Sequence, residues 1–144
     1  MQRFIVTDTH TGMQSIAFRI RESSWVASIA AWKLGVPSVA ITLGRTIHLH
    51  RAGREQFLQN KEWLRHELRH VEQFRVHGFL PFLCQYLLES LRKGYFQNRF
   101  EREAREAERD DAYDPVTGNT RDGLGFFNPP FAWKSTPGSQ NRNA

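Results

Sequence analysis

The segment WLRHELRHVEQF, at residues 63–74, constrains the fold more strongly than any other part of the chain. Three of its apolar residues recur at helical spacing and predict a face that anchors a helix in the core: Leu64, Leu68 and Val71. His66 and His70 project from another face, only about 40° apart at about 100° per residue. We therefore expect a long helix over residues 60–77 whose polar face is also buried.

Two runs rich in β-forming residues precede this helix. VAITL and TIHLH are separated by Gly44 and Arg45, which predicts a short hairpin or a strand with a sharp bend. Further upstream, WVASIAAWKL follows serines that can cap a helix and precedes Gly35, which can end one. The run before it, QSIAFRIRE, is ambiguous between strand and helix.

Two further helices are expected after the central one. An apolar stripe predicts a helix of core material that stops at Gly94: Phe82, Leu83, Tyr86, Leu87 and Leu91. Asn98 then opens FEREAREAERDDA, which is typical of another helix. The predicted fold class is α+β, mostly helical.

The length of 144 residues and the 40% hydrophobic content fit one compact domain. Beyond Tyr113 the composition shifts to Gly, Pro, Asn, Ser and Thr without periodicity. We therefore expect a domain at residues 1–113 and an extended, partly disordered C-terminal tail at residues 114–144. The aromatic cluster FFNPPFAW is expected to contact the domain surface, and STPGSQNRNA to be disordered.

Composition also restricts the class of protein. No stretch reaches the roughly 18 apolar residues of a membrane span, and MQRFIVTDTHTG lacks a signal-peptide core, so we expect a cytoplasmic protein. The net charge is +5, but the basic residues are interspersed with acidic ones, which favours a mixed solvated surface over a nucleic-acid interface. Cys84 is the only cysteine, and its apolar surroundings predict a small buried hydrophobe.

His66, Glu67 and His70 form an HExxH motif, whose spacing suits two imidazoles that share one metal ion. Zinc favours imidazole ligands and lowers the pKa of a bound water towards about 7, so a nearby carboxylate can take the water's proton. Glu67 is the candidate for that base. A chance occurrence of the motif in an ordinary helix is the alternative.

A third ligand is expected for such a site. His77 lies about 10 Å further along the helix axis and is out of reach. Glu101 is a better candidate, because a crossing helix can bring its carboxylate to the metal; its alternative role is a capping box with Asn98. His48 and His50 alternate onto one face of their strand, where exposure to solvent is favoured over metal binding.

HELRH with FEREAR further along the chain resembles the gluzincin pattern, and AITLGRTIHL resembles the strand of small bacterial zincin-like metallopeptidase domains. The resemblance covers roughly residues 39–108, with Gln73 completing HExxHxxQ. It implies that His66, His70 and Glu101 bind zinc and that Glu67 is the catalytic base. It also implies that TIHLH or VAITL is an edge strand that pairs with an extended peptide substrate.

Two features of the resemblance are open. Many gluzincins carry an Asp four residues after the ligand Glu to orient a zinc histidine, but Arg105 stands there, so Glu106 or a backbone oxygen would take that role. A residue that stabilises the developing oxyanion is also expected. Tyr95 is preferred over Tyr86 and His77 because it closely precedes Glu101, with packing at a helix corner as its alternative role.

The expected function is zinc-dependent hydrolysis of peptide bonds in a peptide or protein substrate, with Glu-assisted attack of a zinc-bound water. The alternative is a zinc-binding, non-enzymatic interaction module, either with structural zinc or as an inactive protease-like domain. A three-ligand site with access for water favours the enzyme, whereas a fourth protein ligand favours the structural site.

Overall fold

The computed structural model of the chain describes residues 15–115, 117–118 and 123–129. Its elements confirm the predicted α+β class, in which helices predominate: β1 (Ile16–Arg21), α1 (Trp25–Leu34), β2 (Val39–Leu43), β3 (Thr46–His50), α2 (Arg54–Gln59), α3 (Lys61–His77), α4 (Phe79–Lys93), α5 (Arg99–Ala107), β4 (Thr117–Gly118) and β5 (Leu124–Phe127). A short 3₁₀ turn, Asp111–Tyr113, follows α5.

The strands form one mixed sheet in the described part of the chain, in the order β2-β3-β1-β5-β4. β2 and β3 pair antiparallel with Leu43 opposite Thr46, which confirms the predicted hairpin. β1 runs parallel to β3 and antiparallel to β5. Of the two strands considered for an edge, VAITL (β2) lies at the edge and TIHLH (β3) lies inside the sheet.

The core lies between α3 and one face of the sheet. Alternate strand residues point to this face, as their spacing of two requires, among them Phe18, Ile47 and Phe127. They pack against the apolar side of α3, where three side chains are at most 1% exposed: Leu64, Leu68 and Val71. Their burial confirms the predicted anchoring face of this helix. Burying each such side chain stabilises the fold by about 1.5–3 kcal/mol.

α3 begins and ends where the sequence predicts. The side chain of Asn60 accepts a hydrogen bond from the backbone N–H of Trp63 at 3.1 Å and caps the first turn. Gly78 ends the helix at a φ of 84°, which side chains with a Cβ rarely adopt. This glycine lets the chain reverse, so that α4 runs back along α3.

α4 follows α3 closely enough to bring aromatic rings together. The ring of Phe82 lies 4.5 Å from that of Phe74, and the ring of Tyr86 lies 6.2 Å from that of His70, between centroids. Phe100 of α5 completes this second apolar cluster. The contacts place Tyr86 beside the HExxH turn.

The outer side of α4 is not core material, contrary to the prediction. Phe82 is buried, but Leu87 and Leu91 of the same stripe are 52% and 85% exposed. Cys84 is also exposed rather than buried. The reason is that α4 packs mainly on α3, which leaves these side chains largely in solvent.

α1 packs on the opposite face of the sheet from α3 through its small residues. Ala27 and Ala31 are buried, whereas Trp25 and Trp32 are 72% and 83% exposed. His48 is buried beneath this helix, with its Nδ1 atom 2.8 Å from the hydroxyl of Ser24, so the expectation of solvent exposure is wrong for His48. Within the described residues, no helix is long and apolar enough to cross a membrane.

Part of the segment after Tyr113 belongs to the sheet. β5 pairs with β1, with Phe127 opposite Ile16, and the side chain of Phe127 is fully buried. The strand is not predictable from the sequence, because four residues in a stretch rich in Gly and Pro show too little periodicity. Phe131, Trp133 and the STPGSQNRNA segment lie outside the described residues.

Candidate metal centre

Three side chains from two helices converge beside the sheet. His66 and His70 project one turn apart from α3, and Glu101 reaches them from the first turn of α5. Each offers one ligand atom, and the three atoms lie within 4.8 Å of one another. Among the residues that the structure describes, they form the one group of three or more His, Cys, Asp or Glu side chains that could hold a metal ion.

The separations between these atoms suit a single ion. His66 Nε2 lies 3.2 Å from one oxygen of Glu101, and His70 Nε2 lies 3.3 Å from the other. Zinc bonds of about 2.0–2.2 Å at tetrahedral angles hold neighbouring ligand atoms about 3.4 Å apart. The three side chains could therefore hold a metal ion, which agrees with the ligand set expected from the sequence.

Close packing of α5 against α3 brings Glu101 to the histidines. Ala104 and Ala107 are buried on the contact face, and their small side chains allow the helices to approach. The backbone N–H of Asn98 donates to the carbonyl of Gly94 rather than to Glu101, so the capping box does not form. The carboxylate of Glu101 is thereby left to the histidines.

Each histidine is held through its other ring nitrogen. His66 Nδ1 lies 2.8 Å from Glu108 Oε1, and His70 Nδ1 lies 2.8 Å from Gln73 Oε1. A carboxylate accepts hydrogen bonds only, so Nδ1 of His66 donates to Glu108, and Nε2, which faces Glu101, is the nitrogen that a metal ion would bind. Metal-bound histidines commonly have such partners, which orient the ring.

The site attracts positive charge. Burial by itself lowers the pKa of His66, but the hydrogen bond with Glu101 and the charges of Glu67 and Glu101 outweigh it and raise the pKa to about 9. Burial likewise opposes ionisation of Glu101, but the hydrogen bonds with His66 and His70 hold its pKa well below its usual range. A cluster with this balance of charge favours a bound cation.

Glu67 is buried next to the three side chains, on the side that faces β2. The hydroxyl of Thr42 donates to its Oε2 at 2.7 Å. Burial raises the pKa of the Glu67 carboxyl, and the nearby histidines and this hydrogen bond only partly oppose the shift. Glu67 is therefore oriented by the edge strand and is a stronger base than an exposed glutamate.

The two tyrosines considered from the sequence occupy different places. The hydroxyl of Tyr86 donates to Glu101 Oε1 at 2.5 Å, whereas Tyr95 is 47% exposed at the mouth of the site. Burial and then the charge of Glu101 raise the pKa of both hydroxyls, so both keep their protons. His77, the third candidate, stacks on Phe82 instead.

A cleft crosses the three side chains. One cavity of about 420 Å³ opens between β2 and α4, and its wall is mainly apolar, including Leu34, Val39, Ile41, Leu43, Leu83 and Leu87. A second cavity of about 540 Å³ shares His66, Glu67 and Tyr95 with the first and is lined on its far side by Asn60, Glu62 and Glu108. All three candidate ligands therefore line the first cavity, and His66 also lines the second.

Glu108 and Thr42 were missed in the sequence. Glu108 ends α5 two turns after Glu101 and on the same side, so helical spacing could have identified it, whereas Glu106 is exposed. No local sequence pattern identifies Thr42 as a site residue, because its side chain faces Glu67 only when the strands have paired. Arg105, which stands at the gluzincin Asp position, donates to the backbone carbonyl of Phe96.

Comparison with known proteins yields one match. No curated protein and no solved structure matches the chain. A family model described as the eCIS core domain matches residues 9–78, just under half of the chain. The match ends with α3, so it includes the HExxH turn and leaves out Glu101 and Glu108. Over that range the chain is similar to the eCIS core domain.

Proposed function

We propose that the chain is a zinc-dependent metallopeptidase in which His66, His70 and Glu101 hold the ion. The observation that carries the proposal is the donor set: two imidazoles and one carboxylate meet in a cleft, and both rings are held through their other nitrogen. No fourth protein ligand joins them among the described residues. A three-ligand set of this kind leaves a position for water, as in catalytic zinc sites.

When bound, zinc polarises a carbonyl and acidifies a water molecule. Glu67 accepts a proton beside the histidines and then delivers it to the leaving amine, a role that its raised pKa suits. Thr42 holds the carboxylate in one orientation during both transfers. Without that bond, the buried side chain of Glu67 would lose the hydrogen-bond donor to one of its carboxylate oxygens.

Tyr95 is the residue that we propose to stabilise the developing oxyanion. It lines both cavities and its hydroxyl stays protonated, so it can donate a hydrogen bond to a substrate oxygen. Tyr86 has the same chemistry, and both hydroxyls interact with Glu101, but that of Tyr86 donates to it at 2.5 Å, whereas the side chain of Tyr95 is half exposed. We therefore assign Tyr86 to orienting the ligand.

The cleft also indicates how a peptide would bind. Within the described residues β2 pairs with β3 alone, so the backbone groups on its outer edge are available to an extended peptide. The cavity along this edge has an apolar wall that includes Leu43 and Leu83. We expect a peptide with a bulky apolar side chain next to the bond that is cleaved.

The test compares the wild type with Glu67→Gln and with Glu106→Gln as the matched control. Glu106 is an exposed glutamate of α5 that faces away from the histidines. Protein purified without added metal should contain about one zinc per chain in all three forms. Cleavage of quenched peptides with Leu or Phe at the scissile bond should fall by about 10²–10⁴ in Glu67→Gln alone, because Gln keeps the shape and loses the basicity.

Equal cleavage by wild type and Glu67→Gln, at equal zinc content, would show that Glu67 is not the base. Zinc bound by all forms without any cleavage supports the second candidate, a zinc-binding interaction module without enzymatic activity. The observation that favours this candidate is the exposure of large apolar side chains on two helices that also contribute residues to the first cavity, because Trp32 of α1 and Leu91 of α4 are each more than 80% exposed.

A further inference from the structure

We propose that Gln73 is a positioning residue that fixes the tautomer of His70 and ties it to the helix that carries Glu101. The inference rests on the proposed metal site. Gln73 is fully buried one turn after His70 on α3. Its amide contacts three groups: His70 Nδ1 at 2.8 Å, the carbonyl of Phe100 at 3.1 Å and Glu103 Oε2 at 2.8 Å.

The contacts determine which way the amide points. A backbone carbonyl and a carboxylate both accept hydrogen bonds, so the amide nitrogen of Gln73 must face Phe100 and Glu103. The amide oxygen therefore faces His70 and can only accept. Nδ1 of His70 must then carry a proton, so Nε2, which faces Glu101 at 3.3 Å, is the ring nitrogen left to bind a metal.

The same amide connects two of the candidate ligands. Phe100 directly precedes Glu101, so the bond from Gln73 to its carbonyl holds the first turn of α5 against the HExxH turn. One side chain thus constrains the ring of His70 and the backbone next to Glu101. A displacement of either would weaken its bond to Gln73.

Glu103, the other partner of the amide, is 31% exposed and lies at the border of an ionic network whose other members are buried. Arg69, which is 1% exposed, donates to Glu103 Oε2 at 3.1 Å and to Glu72 Oε2 at 2.6 Å. The hydroxyl of Tyr113 also donates to Glu72 Oε2 at 2.6 Å. The network holds the acceptor of Gln73 in place, because buried ionic groups with satisfied hydrogen bonds resist displacement.

An amide suits position 73 better than a carboxylate. His66 takes a carboxylate partner, Glu108, whose side chain is 32% exposed and partly solvated. A carboxylate at position 73 would lie fully buried against Glu103 and would repel it. Glutamine supplies the acceptor for His70 and a donor for Glu103 without adding charge.

The test measures zinc affinity by competition with a chromophoric chelator, using the full chain. Gln73→Leu should weaken zinc binding about 10- to 100-fold, the usual effect of removing a partner of a metal-bound histidine. Gln73→Glu should also weaken it, because two carboxylates then face each other. Adding Glu103→Gln to Gln73→Glu removes the repulsion between the two carboxylates but leaves the carbonyl of Phe100 without its donor, so the double variant should recover part of the affinity that Gln73→Glu loses. Glu106→Gln is the control and should bind zinc as the wild type does.

Ring ¹⁵N chemical shifts of His70 in the metal-free protein provide the second measurement. The wild type should show a protonated Nδ1 when the ring is neutral, and Gln73→Leu should show a mixture of tautomers. Unchanged affinity and an unchanged tautomer in folded Gln73→Leu would overturn the proposal. Should this variant fail to fold, failure of the double variant to recover relative to Gln73→Glu would overturn it equally. Absence of zinc binding by the wild type would refute the metal site, while the tautomer would still test the role of Gln73.

Discussion

The hydroxyl of Thr42 on the edge strand donates to the carboxylate of Glu67 on α3, at 2.7 Å. The bond joins the strand that would hold a peptide to the group proposed as the base. Both residues are buried, with 7% and 5% exposure, so water competes little for the bond. Displacement of β2 therefore also displaces the carboxylate.

Replacement of Thr42 tests whether this bond serves catalysis. Thr42→Val should lower kcat about tenfold and leave the zinc content unchanged, because a hydrogen bond to a charged group contributes about 1.5–3 kcal/mol and only part of that is specific to the reaction. Thr42→Ser keeps the hydroxyl and should retain most of the activity. Unchanged kcat in folded Thr42→Val would mean that the bond has only a structural role.

The second prediction concerns the ligand set. Glu101→Ala and His70→Ala should each abolish stoichiometric zinc, because either change removes one of three ligands. His77→Ala should retain zinc, since that ring lies at the end of α3 against Phe82 and Phe100. Elemental analysis after gel filtration checks the prediction. Loss of zinc from His77→Ala together with retention in Glu101→Ala would contradict the assignment.

The third prediction separates the two tyrosines. Tyr95→Phe should lower kcat about 10- to 100-fold at constant zinc affinity, because an oxyanion donor acts mainly in the transition state. Tyr86→Phe should weaken zinc binding, because Glu101 loses the hydroxyl that orients it. Steady-state kinetics and chelator competition on both variants distinguish the roles. The reverse pattern of effects would exchange the two assignments.

Local periodicity was sufficient to predict the HExxH helix and its buried polar face. Asn60, Gly78 and the spacing of Leu64, Leu68 and Val71 all act within α3, so no knowledge of the remaining fold was needed. Glu101 could also be predicted, since a crossing helix can bring its carboxylate to the histidines and the spacing of the motifs resembles the gluzincin pattern. The site is therefore encoded mostly by two short segments.

The errors arose where tertiary packing decides burial. An apolar stripe predicts that a helix packs against a neighbour, but it does not show which part of the helix that neighbour covers. Leu87 and Leu91 of α4 belong to such a stripe and are exposed. His48 became buried because α1 crosses its face of the sheet. Thr42 acquired its role only when β2 was placed beside α3 by the sheet.

The last prediction concerns the strand that the sequence did not reveal. Phe127 of β5 is fully buried and packs against Phe18 and Tyr113, whereas its neighbour Phe126 points to the other face and is only partly buried. Phe127→Ala should lower the free energy of unfolding by about 3–5 kcal/mol, as expected for a large aromatic side chain in a core. Phe126→Ala is the matched control and should cost about 1 kcal/mol or less.

Urea denaturation of the two variants checks the comparison, with equal m-values required so that the midpoints report stability. Removal of all residues from Asp122 should cost at least as much as Phe127→Ala, because it deletes the whole strand. Tyr113 also bonds to Glu72 in the buried network beside Gln73, so Phe127→Ala should also weaken zinc binding. Equal stability of Phe127→Ala and Phe126→Ala would show that β5 contributes little to the core, and the segment after Tyr113 would then be free to contact a partner.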